Sequence, residues 1–234
     1  MKKKRISTYI IALLTISSFF GLPTTAIAQE KGNAKVESQQ QPFYQGTMIG
    51  VDVFGLLGNA FGSDFTSTEA SIECNLLNRY FPVLELGYGS TDTIDEETDI
   101  HYKTSAPYIR MGAGYNIFSK KPHLPGKLLL GARLGFSSFS YDVQAPSMSD
   151  PVWGEPSIPV AFENVKSKAA WMELTAEVRT NVYKNIHMGF SVRYKSLFSV
   201  KKTENSEPWY IPGFGKNKSS GFGITYNISY KLPF

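Results

Sequence analysis

The chain ends Tyr226-Asn227-Ile228-Ser229-Tyr230-Lys231-Leu232-Pro233-Phe234. Apolar side chains at 226, 228, 230, 232 and 234 are interleaved with Asn227, Ser229 and Lys231, the period-two pattern of a strand with one oily and one polar face. A free chain end frays in water, so a strand that runs to an aromatic last residue is unusual for a soluble protein.

Toward the N-terminus the same alternation recurs, for eight strands in all. Strand one, about 46 to 54, sets Ile49, Val51 and Val53 against Gly50 and Asp52. Strand two, about 66 to 76, sets Ala70, Ile72, Cys74 and Leu76 against Glu69, Ser71, Glu73 and Asn75. Strand three, about 82 to 90, sets Leu84, Leu86 and Tyr88 against Glu85, Gly87 and Gly89. Strand four, about 106 to 118, sets Ile109, Met111 and Ala113 against Arg110, Gly112 and Gly114. Strand five, about 128 to 140, sets Leu130, Leu134 and Phe136 against Gly131, Arg133 and Gly135. Strand six, about 169 to 182, sets Met172, Leu174 and Val178 against Glu173, Glu177 and Arg179. Strand seven, about 186 to 198, sets Met188, Phe190 and Val192 against His187, Arg193 and Lys195. Strand eight spans about 220 to 234. Connections after strands two, four and six are short, and most of the others are long, including about 91 to 105, 141 to 168 and 199 to 219. That is the rhythm of short inner turns and long outer loops in a transmembrane barrel.

The closing strand, with Tyr230, Leu232 and the terminal Phe234, resembles the C-terminal insertion signal of Gram-negative outer-membrane β-barrels. Strand count and loop alternation resemble the small barrels of the OmpA and OmpX type. The resemblance implies an all-β, eight-stranded antiparallel up-and-down transmembrane β-barrel with both ends in the periplasm. It also implies contact with the barrel-insertion machinery during biogenesis. It is architectural and brings no functional motif, so it suggests an uncharacterised family of such barrels.

Residues 1 to 28 read as a cleaved signal peptide: Lys2, Lys3, Lys4 and Arg5, an apolar core, Pro23, then Ala26-Ile27-Ala28 with the cut after Ala28. Residues 29 to 45 read as a flexible periplasmic tail, and 46 to 234 as the barrel. Four of the 24 basic residues and none of the 20 acidic ones lie in the leader, so the mature chain is formally neutral. A nucleic-acid partner has no support from charge. The single cysteine, Cys74, excludes an internal disulfide.

Alternation alone leaves open which face is inside, since a soluble lipocalin-like barrel has the same period with its oily face inward. Three features favour the inverted arrangement. The polar face is rich in Gly and Ser, suiting a narrow interior. Aromatics cluster near strand ends as two girdles: Phe43, Tyr44, Tyr80, Phe81, Phe118, Tyr183 and Phe234 at one, and Phe54, Tyr88, Tyr108, Tyr141, Trp171 and Phe198 at the other. The leader and Phe234 are the third. Inside, Asp52, Glu69, Glu73, Glu85, Glu173 and Glu177 then face Arg110, Arg133, Arg179, Arg193, Lys195 and Lys231. Unpaired charges there are costly, so an interlocked, blocked lumen is expected. Adjacent-strand pairs would be Glu85 with Arg110, and Arg133 with Glu173 or Glu177.

Chemistry is sparse. His101, His123 and His187 are far apart, which argues against a metal site. His101 and Ser105 are the only local base and hydroxyl pair. The His-x-Ser signature of barrel-borne lipid A deacylases is absent, because Tyr102 and Lys103 follow His101. No catalytic residue, metal or cofactor is assigned. The acidic stretch Asp92 to Asp99 lacks calcium-loop spacing and reads as a solvated loop. Lys201, Lys202, Trp209, Tyr210 and Lys216 form a basic, aromatic loop suited to lipopolysaccharide phosphates and headgroups, or to a membrane-protein partner. Trp153, among Pro146, Pro151, Pro156 and Pro159, marks a loop ordered without strands and a candidate contact. The functional expectation is a non-catalytic outer-membrane barrel with a structural, binding or accessory role through its loops. A narrow passive channel and an accessory subunit of an assembly or transport complex are the alternatives.

Overall fold

Ten strands carry the alternation into three dimensions in the computed structural model, which describes residues 42–56, 65–120, 124, 126–148, 158–202 and 206–233. They are β1 (Tyr44–Asp52), β2 (Phe65–Leu76), β3 (Tyr80–Ile94), β4 (His101–Asn116), β5 (Gly126–Met148), β6 (Ile158–Tyr183), β7 (Ile186–Val200), the two-residue β8 (Tyr210–Ile211) and β9 (Gly215–Lys216), and β10 (Ser220–Lys231). Eight of them close a ring: each of β1 to β6 pairs antiparallel with the next, and β10 lies between β7 and β1. The seam is short, running from Met48↔Lys231 to Asp52↔Asn227. The leader with its cut, the tail to residue 41, His123, Trp153 and Phe234 lie outside the described residues.

Turn chemistry separates the two ends. β6 and β7 are joined through Lys184 and Asn185 alone, with Tyr183 paired to Ile186 and Lys184 in the left-handed region (φ 43°). β2 and β3 are joined through Leu77, Asn78 and Arg79, where Leu77 and Asn78 take φ of 57° and 52°. Such conformations match the strand twist and permit very short hairpin loops.

The oily face points outward. Leu86, Met111, Leu134, Leu174, Val192 and Ile224 are 42–55% exposed, whereas Glu85, Arg110, Glu173 and Arg193 on the opposite parity are at 0–2%. A water-soluble barrel has the reverse order. Among the described residues no helix is long and apolar enough to cross a membrane, and this exterior is that of a barrel crossing with strands.

Several boundaries differ from the sequence reading. β1 starts at Tyr44, two residues before the expected 46, because Gly46 (φ 122°) kinks the strand and breaks the alternation there. The hairpin of β3 and β4 continues to Ile94↔His101, well past the expected end at 90. The third outer loop, expected to lack strands, is largely a hairpin: β5 runs to Met148 and β6 starts at Ile158, with Pro146 and Pro159 inside them. Above a lipid layer both faces of a hairpin meet water, so hydrophobic alternation fades although the ladder persists.

The girdles also need correction. Phe43, Tyr44, Tyr80 and Tyr183 are exposed at one end, and Phe54, Tyr88 and Phe198 near the other. Phe81, Tyr108, Tyr141 and Trp171 are buried inside the ring. Their parity matches that of Glu85, Arg110, Arg133 and Glu173 on the same strands, so strand register, rather than nearness to a strand end, decides their side.

Candidate functional site

Side chains occupy the lumen in three layers, with a cavity of about 450 Å³ left beside Glu69, Arg193 and Lys195. At the short-turn end Met48, Phe81 and Leu129 form a small apolar cluster. Above them Arg179 bridges two acids, with Nη2 2.9 Å from Glu73 Oε2 and Nε 2.7 Å from Glu177 Oε1. Lys127, on the same parity as Arg133, belongs to this layer, its Nζ 4.9 Å from the centre of the Phe81 ring. It is the second residue of β5 and lies one residue before the expected strand start at 128, outside the alternation read from sequence.

The middle layer is a neutral cluster of three acids and three arginines. Arg110 contacts Glu69, lies 2.9 Å from Glu85 and donates to Glu173 at 3.0 Å. The Arg110–Glu85 contact is off the N–H axis, making it an ion pair rather than a hydrogen bond. Arg133 contacts Glu85. Arg193 reaches Glu69 and Glu85 at 3.2 Å and Glu173 at 3.5 Å. Glu85 and Arg110 are direct cross-strand neighbours. Arg133 is in register with Glu173, yet its guanidinium turns to Glu85 two strands away. Arg193 on β7 crosses the lumen to β2 and β3. These groups are nearly fully buried, and each charge has opposite charges around it, the condition under which a buried ion network is tolerated.

Three of the expected network members do something else. Asp52 accepts backbone N–H groups from Phe54 (3.0 Å), Gly55 (3.3 Å) and, across the seam, Tyr226 (3.1 Å). It caps the helical turn Val53–Leu56 and ties β1 to β10 where their ladder stops. Lys231 makes no ion pair among the described residues, and its stem lies over Gly46. Lys195 donates to the carbonyls of Gly213 (2.9 Å) and Phe214 (3.1 Å).

Those carbonyls belong to the upper layer, a loop folded back into the barrel. Pro208, Ile211 and Pro212 are completely buried, with Tyr210 and Phe214 almost so, and β8 pairs with β9 around Pro212-Gly213-Phe214. Tyr102 Oη donates to Tyr210 O (3.1 Å) and Tyr141 Oη to Ser206 O (3.0 Å). Phe65 stacks on Tyr210, with ring centres 4.4 Å apart. Trp171 meets Phe214 edge-on at 6.0 Å and donates Nε1–H to Glu173 Oε1 at 2.7 Å, linking plug and charges. Space comes from glycine: a Cβ on Gly87 would lie 2.2 Å from the Tyr108 ring, and one on Gly135 2.2 Å from the Trp171 indole.

The expected loop contacts therefore part company. Tyr210 is inside and cannot meet headgroups. Trp209 is partly exposed and stacks on Tyr102 at 5.5 Å. Lys201, Lys202 and Lys216 are exposed, Lys202 pairing with Glu207 at 2.8 Å. The polar and basic residues of this loop masked its apolar core, since a plug sequence has no period to read. Lys195→Met should cost the plug about 1.5–3 kcal/mol, the worth of charged hydrogen bonds. Faster amide exchange over 210–217 with an intact barrel ladder is the expected result.

Elsewhere the chemistry is structural. His101 Nε2 sits 2.6 Å from Asp92 Oδ1, and four residues of strand, roughly 13 Å, separate it from Ser105. Asp95 accepts from Thr98 Oγ1 (2.9 Å), Thr98 N (3.0 Å) and Glu97 N (3.1 Å), and these bonds, the Thr98 hydroxyl first, hold its carboxyl below the usual range. Among the described residues no group of three His, Cys, Asp or Glu is placed to hold a metal. His187 is half-buried on the inner face near the short-turn end, and Cys74 is a free thiol 3.6 Å from Thr47 Oγ1.

A major outer membrane protein from Thermus thermophilus matches at 8% identity and TM-score 0.49, over 80% of this chain and all of that one. Neisserial surface protein A matches at 16% identity and TM-score 0.42, over 81% of this chain and 99% of that one. CarO2 from Acinetobacter baumannii matches at 11% and 0.37, over 82% and 100%. Scores this low leave the fold resting on the chain's own ring of strands. No match is found among curated proteins. One family model, described as a domain of unknown function (DUF6048), spans residues 6–234, and the chain belongs to that family.

Proposed function

We propose that this protein is a non-catalytic integral outer-membrane barrel whose lumen is sealed, so that the barrel is an anchor and its outer hairpins and loops carry the role. The observation that supports this reading most strongly is the lumen: an ion network reaching from β7 to β2 and β3, capped by a buried hairpin. The outer membrane is the location in this reading, reached by cleavage after Ala28 and insertion signalled by Tyr230, Leu232 and Phe234. Lipid and lipopolysaccharide surround the barrel in this reading. Purified protein in planar bilayers should give almost no conductance, and stable porin-like openings would overturn the sealed anchor in favour of a channel. Fractionation with outer membranes and heat-modifiable gel mobility test the location and the folded barrel.

One observation favours an accessory subunit as a second reading. β6 pairs with β7 only from Ala169 onward, and the Lys168 carbonyl takes the Lys201 N–H, so among the described residues the stretch from Ile158 to Ser167 has no strand ladder on that side. An unpaired edge on a projecting hairpin is a surface to which another chain can add a strand. Co-purification in mild detergent tests it.

A further inference from the structure

The outer wall is uneven across β4, β5 and β6. Toward the long-loop end Ile109 gives way to Pro107 and Ser105, Phe136 to Ser138 and Ser140, and Ala170 to Lys168 and Lys166. Two adjoining grooves result, of about 560 and 540 Å³, sharing Pro107, Ser138 and Lys168. Leu86, Ile109 and Phe136 wall the lower one, within the oily band. Lys166, Lys168 and Lys201 edge the upper one. Lys201 is fixed there by its backbone, whose N–H donates to Lys168 O (2.8 Å) while its carbonyl accepts from Ser167 Oγ (2.7 Å). Two other lysines at this end have carboxylates: Lys103 lies 3.2 Å from Asp92 and Lys202 2.8 Å from Glu207. Lys166, Lys168 and Lys201 are exposed, and among the described residues none makes an ion pair.

We infer that this face binds a phosphate-bearing lipid of the outer leaflet, with acyl chains in the lower groove and phosphate among Lys166, Lys168 and Lys201. The inference rests on the outer-membrane reading. An ammonium group is a compact charge with three donors, suited to a phosphate that it approaches without fixed geometry. Cations at the membrane surface draw anionic headgroups to them. The lower groove is what selects a lipid over a free anion, since it offers apolar wall only to an occupant with an apolar end.

The test uses the full mature protein folded in detergent, with phosphorylated lipid A as probe and native mass spectrometry as readout. Wild type should retain one lipid. The triple variant Lys166→Ala, Lys168→Ala, Lys201→Ala should bind it roughly a hundredfold more weakly, given the worth of each lysine near a charged surface. Lys202→Ala with Lys218→Ala should bind as wild type, and dephosphorylated lipid A should be held no better than by the triple variant. Equal retention by the triple variant, equal retention of the dephosphorylated lipid, or equal loss in the control variant would overturn the site. Heat-modifiable mobility of the same samples separates the two readings. A folded band without selective lipid retention sinks this site alone, and no folded band for wild type sinks the outer-membrane reading and the site with it.

Discussion

Glu173→Ala should destabilise the folded barrel by about 3–5 kcal/mol, the range for breaking a buried ion network on one side. Glu173 is completely buried and accepts from Arg110, Arg193 and the Trp171 indole. Its removal leaves the middle layer with two carboxylates for three guanidinium groups. Glu173→Gln separates charge from shape, because the amide oxygen can still accept from Trp171. It should lose most of the same stability. Combining Glu173→Leu with Arg110→Met restores neutrality and should recover part of the loss, as apolar replacements of whole buried pairs do. Folded fraction against urea in lipid vesicles is the measurement. A wild-type midpoint for Glu173→Ala would show that the lumen is hydrated enough to screen its charges.

Trp171→Ala comes next, at about 3–5 kcal/mol for removing a buried indole. The ring is 1% exposed and seats Phe214 of the plug. Collapse cannot fill the hole, since the ladder Gly135↔Trp171 fixes the wall on either side. The loss should appear at the long-loop end first, as faster exchange in 210–217 before the strands open. Gly135→Val tests the same contact without deleting the ring, because its side chain takes the volume the indole occupies. Both variants should loosen the plug, and an unchanged exchange pattern in both would mean that the hairpin is held by Lys195 and the tyrosines alone.

Most charged residues of the lumen were identifiable from parity, but of their partners only the neighbour pair of Glu85 and Arg110 was. Glu85 and Arg110 meet as strand neighbours, a relation that alternation and hairpin order define. Arg193 to Glu69 is a contact across the ring, set by how far the strands are staggered around the barrel, and no local pattern encodes that stagger. Asp52 illustrates the same limit from the other side. Its parity placed it among the acids of the lumen, yet the end of the β1 and β10 ladder leaves backbone N–H groups there that its carboxylate satisfies.

By itself the sequence determined the number of barrel strands, which residues share a face and the identity of most of the lumen charges, because a period of two is a property of each strand alone. Tertiary structure decided which acid meets which base, that Tyr210, Ile211 and Phe214 turn inward as a plug, and where unpaired lysines gather on the wall. Those outcomes depend on ring closure, which brings residues more than a hundred positions apart, such as Tyr102 and Tyr210, within hydrogen-bond reach.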